Sequence, residues 1–458
     1  MLRFHNSLTR KKEDFVPLEK GKVKLYTCGP TVYDTAHIGN FRTFLFEDFL
    51  KRVLVARGFE VLHIMNITDV DDKTIKKSRD EGKPLSEITS HYTKLFNRDL
   101  AALKIIPADV YPAATDHVDG MIKMIQSLIE NGHAYKTEDG SVFFSIDSYK
   151  NYGALTNINV NKMRQSQRVE SDEYGLNNPQ DFALWKASKD EDGDVAWDSP
   201  WGKGRPGWHI ECSAMSMEYL GDHFDIHCGG VDNKFPHHEN EIAQSVCAVD
   251  TPFVNFWLHS EFLMVDGGKM SKSLGNFYCI SDLFEKGFTA EEIRYIMLSG
   301  HYRTKVNFTL DKQHEAKMAI LRIHELQSRL TDMKTESTTD FPDSVIAFNA
   351  ALEDDLDAPN SLAVFFDWVR ATNTALDKNE LSKSEASQGL NFITYFDSVF
   401  AVLPEDESIP PDVLDLVSER EEARKNKEWD KSDELRDLIA SKGWIIKDTP
   451  DGAKLTSK

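Results

Sequence analysis

The sequence predicts an α/β fold: a Rossmann-type parallel-sheet domain interrupted by an insertion, followed by a helical bundle and a small C-terminal domain. Three observations carry this. A strand, helix, strand pattern runs from Val23 to Met65, a second strand-and-turn pattern resumes near Gly207, and long amphipathic patterns dominate beyond Ala290. At 458 residues the chain also exceeds the size at which a single core stops growing.

Taken in order, Val23-Lys24-Leu25-Tyr26 reads as a short strand running into the turn-rich Cys28-Gly29-Pro30. A helix then opens near His37. Its apolar residues Phe41, Phe44, Leu45, Phe49 and Val53 recur at three- and four-residue spacing, and Gly58 stops it before the apolar strand Val61-Leu62-His63-Ile64-Met65. Crossovers in such βαβ units are right-handed and ligands gather at the carboxyl ends of parallel strands, which puts Cys28 and His37 at a candidate site. Residues 1–114 form the first half of this domain. Polar stretches such as Asn157-Ile158-Asn159-Val160-Asn161 and Asp190-Glu191-Asp192-Gly193-Asp194 mark a connective insertion over 115–203.

The second half, 204–262, resumes at Gly207-Trp208-His209-Ile210-Glu211-Cys212 and continues through Phe224-Asp225-Ile226-His227 into Cys228-Gly229-Gly230. A lysine-bearing region occupies 263–310. Met318, Leu321, Ile323, Leu326 and Leu330, then Leu362, Phe365, Phe366, Val369 and Leu376, predict a helical bundle over 311–403. A Pro- and acid-rich break separates it from a small domain over 404–458.

Composition narrows the class. No run of about eighteen apolar residues exists to span a bilayer, and the N-terminus turns charged before a signal peptide's apolar core could accumulate. Five scattered cysteines suit reduced thiols or metal ligation better than disulfides, which favours a cytoplasmic location. A formal charge of −21 opposes attraction of the whole chain to nucleic acid but leaves a locally basic groove open.

Three constellations carry chemistry. His37-Ile38-Gly39-Asn40 heads the first helix, where unpaired N–H groups and the helix dipole favour an anion and an imidazole can donate to phosphate. Lys269-Met270-Ser271-Lys272-Ser273 is a cationic stretch between Gly267-Gly268 and Gly275, able to close over a polyphosphate. In Phe235-Pro236-His237-His238-Glu239-Asn240-Glu241, Pro236 suits a first helical turn, and His237 and Glu241 then share one face. With Cys28 and Cys212 they could bind zinc, although His227, Cys228, His238 and Glu239 are equally eligible by type. Neither metallopeptidase pattern, H-E-x-x-H or H-x-x-E-H, is present.

The first two stretches together resemble the H-I-G-H and K-M-S-K-S signatures of class I aminoacyl-tRNA synthetases. Asn40 replaces the last histidine of the generic box, as in the cysteinyl branch. That branch is also resembled by Cys28-Gly29-Pro30-Thr31-Val32-Tyr33-Asp34, Trp208-His209-Ile210-Glu211-Cys212-Ser213, His227-Cys228-Gly229-Gly230-Val231-Asp232 and the 235–241 run. The resemblance implies activation of L-cysteine with ATP and transfer to the 3′ end of tRNA(Cys). His37, Asn40, Lys269 and Lys272 would stabilise the charged transition state. Gly39, Gly229 and Gly230 would admit ATP, with magnesium expected beside it, and Asp232 would hold the ribose. One zinc ion would sit on Cys28, Cys212, His237 and Glu241, and Cys28, Thr68 and Trp208 would line the amino-acid pocket. A thiolate-selecting metal needs no hydrolytic sieve, so no editing activity is expected.

At the tRNA end, Trp444, Asp448 and Asp451 are candidate anticodon readers, since splayed bases are read by stacking and edge hydrogen bonds. A small core plus turn carboxylates is the competing role for the same three. A related ligase that joins cysteine to an aminosugar lacks this terminal piece, so its presence favours tRNA. The expected protein is a monomer with no membrane contact.

Overall fold

In the computed structural model, which describes residues 1–157, 181–271, 275–333, 338–404, 410–449 and 452–457, a hairpin of β1 (Arg3–Asn6) and β2 (Lys11–Asp14) precedes the first long strand, β3 (Lys22–Thr27). Helix α1 (Ile38–Ala56) buries Phe41, Phe44, Leu45, Phe49 and Val53, the stripe that the spacing predicts. His37 caps it reciprocally: its ring accepts from the Asn40 N–H at 3.2 Å and the Asn40 side chain accepts from the His37 N–H at 3.1 Å. Gly58, at φ +85°, turns the chain into β4 (Glu60–Met65), which runs parallel to β3.

Helices α2 (Asp72–Glu81), α3 (Leu85–Ala102) and α4 (Val118–Glu130) follow. Strands β5 (Ala134–Lys136), β6 (Val142–Phe144), β7 (Phe182–Ala187) and β8 (Gly204–Pro206) then make a separate antiparallel sheet. This inserted sheet runs through Pro206, three residues past the expected limit at 203, because Pro206 still pairs with Trp185. It shares a core with α4 and the next two helices, built on Met121, Ile125, Phe144, Trp185, Met215 and Ala243.

The parallel sheet resumes after α5 (Trp208–Leu220), with β9 (Phe224–Gly230), α6 (His237–Val249) and β10 (Val254–Ser260). Its order is β10-β9-β3-β4, all parallel, so β3 lies between a strand close in sequence and one far downstream. Beyond it come β11 (Leu263–Val265), α7 (Ile280–Glu285), α8 (Ala290–Leu298) and β12 (Val306–Phe308), which pack on α1.

The helices α9 (Lys312–Met333), α10 (Ser344–Glu353), α11 (Ala358–Asp377) and α12 (Lys383–Phe400) form the bundle. One expectation fails here. Met318 and Leu321 are 45% and 40% exposed, and the buried stripe of α9 is Ala316, Ala319, Ile320, Ile323, Leu326 and Leu330. At about 100° per residue, Met318 and Leu321 lie about 140° and 160° around the helix from Ile323. Fully buried Arg294 ties the bundle to α1 and the end of α3, donating to Phe400 O at 3.0 Å, Leu103 O at 2.9 Å and Asp48 Oδ2 at 2.7 Å.

Met1–Val402 and Leu403–Lys458 are two compact units. The second holds α13 (Pro411–Lys425), α14 (Trp429–Ser441) and a hairpin of β13 (Trp444–Thr449) and β14 (Gly452–Ser457) around Val413, Ile439, Trp444 and Ile446. Among the described residues no helix is long and apolar enough to cross a membrane.

Candidate active site and metal centre

Four parallel strands bring their carboxyl ends to one edge, where ligands of such sheets collect. Cys28 follows β3 directly and its N–H donates to Cys228 O at 3.3 Å. Next to it the chain passes so close to the end of β4 that a Cβ on Gly29 would stand 1.7 Å from Asn66 O. Only glycine fits there. The Gly29 N–H donates to Asn66 Oδ1 at 2.9 Å, and the N–H of buried Thr68 donates to Pro30 O at 3.1 Å, which brings Thr68 beside the cysteine loop.

Cys212 lies on α5, and His237 and Glu241 on the first turns of α6, with Pro236 at the cap position. One sulfur from each cysteine, one ring nitrogen and one carboxylate oxygen lie within 4.8 Å of one another, and all four residues are buried. The sheet thus brings together donors that lie far apart in sequence. Glu241 Oε2 lies 2.8 Å from His227 Nε2. Glu241 Oε1 is 3.0 Å from His237 Nε2, but the two do not point at each other, and this buried oxygen has no hydrogen-bond partner among the described residues. Two sulfurs, a nitrogen and an oxygen converging in this way match zinc.

The His237 ring is held on both sides. Trp208, half-buried, stacks on it with centroids 4.1 Å apart, and its Nδ1 meets Nδ1 of His209 at 2.9 Å. If Nε2 faces the ion, the His237 proton is on Nδ1 and is donated to His209, the supporting contact that metal-ligating histidines usually have. His209 stands next to Trp208 in the sequence, but its contact with His237 comes only from the packing of α5 on α6. Burial pushes the Cys28 thiol well above its usual value, with Cys212 and Glu241 adding to the effect. Contact with Cys28 pulls Cys212 down, but burial and Glu241 outweigh it and leave that thiol raised too. Burial lowers His237 to about 3. Burial thus favours the neutral form of both thiols and of the ring, and a bound ion would displace the thiol protons.

The phosphate side adjoins this pocket. Because His37 Nδ1 accepts from the Asn40 N–H, the ring proton sits on Nε2, a donor at the positive end of α1. The lysine loop packs against this box: a Cβ on Gly39 would meet Met270 Cε at 3.1 Å, Phe277 sits edge-on to His37 at 5.2 Å, and the Ile38 N–H donates to Tyr278 O at 2.9 Å. Asn276, not among the expected site residues, staples the loop. Its Oδ1 accepts from the Ser271 N–H at 2.8 Å, and its Nδ2 donates to Val265 O at 3.2 Å and Lys269 O at 3.3 Å. Lys269 is exposed, and Lys272 lies outside the described residues. Gly229 and Gly230 end β9 in tight quarters: a Cβ on Gly229 would stand 2.8 Å from the His238 ring, and one on Gly230 2.3 Å from Asp232 Oδ1. Exposed Asp232 lies in the helical turn Val231–Lys234 that follows them.

In the second unit Trp444 is 7% exposed and packs in the small core. Asp448 is likewise engaged, accepting from Arg420 at 2.8 and 3.1 Å. Asp451 lies outside the described residues. The tryptophan that this unit does present is Trp429, 57% exposed.

Residues 14–318 match the family model for the class I (C) tRNA synthetase catalytic domain, 347–404 the DALR domain, and 406–454 the cysteinyl-tRNA ligase anticodon binding domain. The chain is 48% identical to the cysteine–tRNA ligase of Chlamydia muridarum (strain MoPn / Nigg) over 99% of each chain. To that of Chlamydia pneumoniae it is 49% identical, over 99% of this chain and 98% of the other. Among solved structures, Mycobacterium tuberculosis methionyl-tRNA synthetase bound by methionyl-adenylate shares the fold, with a TM-score of 0.61 at 13% identity, over 83% of this chain and 92% of the other.

Proposed function

The chain belongs to the cysteine–tRNA ligase family, and we propose that Cys28, Cys212, His237 and Glu241 hold one zinc ion that selects L-cysteine for activation by ATP and transfer to tRNA(Cys). In activation the cysteine carboxylate oxygen bonds to the α-phosphorus of ATP as the bond to pyrophosphate breaks. In transfer, a hydroxyl at the 3′ end of the tRNA takes the cysteinyl group and AMP leaves. When bound, the ion supplies a thiophilic Lewis acid that favours a thiolate over the far less acidic hydroxyl of serine.

The chain's own residues do the rest. Trp208 and Thr68 wall the amino-acid pocket, and His209 orients His237. His37 Nε2–H and the Asn40 amide donate to the phosphate oxygens at the head of α1, Gly39 lets the triphosphate approach, and Gly229 and Gly230 admit the adenosine. Asp232 accepts from the ribose hydroxyls. Lys269 and Lys272, with magnesium on the phosphates, offset charge as pyrophosphate departs. Because selection occurs at activation, no editing site is required. The enzyme works as a cytoplasmic monomer.

The observation that carries this reading is the set of four buried donors within 4.8 Å at the carboxyl edge of the parallel sheet, with the lysine loop packed on the His37 box through Met270. Metal analysis together with amino-acid-dependent ATP–pyrophosphate exchange tests it. One zinc per chain and exchange with cysteine but not serine is the expected result. A metal-free chain that exchanges normally, or comparable exchange with serine, overturns it.

A further inference from the structure

Cys28 and Glu241 belong to two sets of converging donors. Besides the set with Cys212 and His237, the donor atoms of Cys28, His227, His238 and Glu241 also lie within 4.8 Å of one another, all buried. His238 Nε2 is 3.2 Å from Cys28 Sγ and 4.0 Å from Glu241 Oε1, and His227 Nε2 is 2.8 Å from Glu241 Oε2.

The far side of each ring is supported as a metal ligand requires. His238 Nδ1 meets His259 Nε2 at 2.8 Å, and His259 Nδ1 meets Ser7 Oγ at 2.8 Å, so one chain of donors can leave the His238 Nε2 lone pair facing the cysteine. His227 Nδ1 faces Cys228 O at 3.3 Å. A proton given to that carbonyl leaves Nε2 and the carboxylate as two lone pairs 2.8 Å apart, an arrangement that calls for a cation between them. The two sets also differ in depth. His237 lies under half-buried Trp208, whereas His227 stacks on Trp257, which is 1% exposed, with centroids 4.5 Å apart.

We propose that Cys28, His227, His238 and Glu241 form a second, inner register for the metal ion, out of reach of the amino-acid pocket. The inference builds on the zinc reading, because the registers share Cys28 and Glu241 and so hold one ion between them. One thiolate, two imidazoles and a carboxylate suit zinc and also cobalt or nickel. An ion in the inner register is retained by the chain but withdrawn from the substrate, so it keeps the metal in place when Cys212 or His237 cannot bind.

The test loads the full chain with zinc or cobalt, dialyses it and counts metal per chain. Cys212→Ser/His237→Ala removes both ligands peculiar to the outer set and is expected to retain one ion. Its sulfur-to-cobalt charge-transfer absorption should fall to about half that of the unmodified chain, since one thiolate replaces two. Adding His238→Asn should abolish binding. Loss of the ion from the first variant, or retention after His238→Asn, overturns the inner register. An unmodified chain that binds no metal overturns the zinc reading itself. If circular dichroism shows the double variant unfolded, X-ray absorption on metal-loaded Cys212→Ser decides: two imidazoles per ion support the inner register and one overturns it.

Discussion

Single residues set the pocket's shape within fractions of an ångström. At Gly29 the clash is with backbone, which cannot swing aside as a side chain could. Gly29→Ala should therefore cost about 3 kcal/mol, the upper end for overpacking, and lower cysteine-dependent exchange. Thermal unfolding alongside the exchange assay checks this, and an unchanged midpoint would contradict the close approach. Cys212→Ala should raise KM for cysteine much more than KM for ATP if Cys212 belongs to the metal set proposed to select cysteine; steady-state exchange kinetics read the split. Residue type and i, i+4 spacing made His237 and Glu241 legible as a pair. The choice of His237 over His238 was not, because adjacent helical residues point about 100° apart and only the packed sheet shows which set each joins. Cys28 and Cys212 meet for the same reason: β3 pairs with β9 and α5 precedes that strand.

Among the elements, the lysine loop is stapled by Asn276 and packed on Gly39 through Met270. Asn276→Ala should loosen it by about 1–2 kcal/mol and slow exchange about five- to thirtyfold with little change in cysteine KM. A loss confined to cysteine binding would count against that role. In the second unit, hydrogen bonding to Arg420, with Arg424 and Arg436 nearby, holds the Asp448 carboxyl below its usual range. A depressed carboxylate stabilises above its unfolded value of about 3.9 and loses that contribution as pH falls through its folded value. Amides of the second unit should exchange faster below about pH 4, and Asp448→Asn should remove that step while loosening the unit at neutral pH. The strand, helix, strand start was legible because α1 keeps a clean helical period. The exposure of Met318 and Leu321 was not legible, because exposure is decided by which neighbour covers a face, and α9 meets its own only in the folded chain.

For the whole molecule, buried Arg294 joins α1, the turn after α3 and the end of α12. Arg294→Met would leave Asp48 buried with Arg52 as its remaining ion-pair partner and should cost about 3–5 kcal/mol in denaturant unfolding. The division of the parallel sheet around an insertion was legible from the return of strand signals near Gly207; the strand order was not, since it depends on pairings between distant segments. That order also has a consequence during synthesis. Strand β3 pairs at once with β4, but its other neighbour, β9, leaves the ribosome about 160 residues later, roughly 8–32 s at ordinary elongation rates. Through that interval one edge of β3 is bare and open to wrong partners, while the inserted antiparallel sheet has only local pairings to make. Cys28 emerges early, yet neither donor set is complete until Glu241 has followed, so the chain could not hold an ion there before β9 is available to join β3.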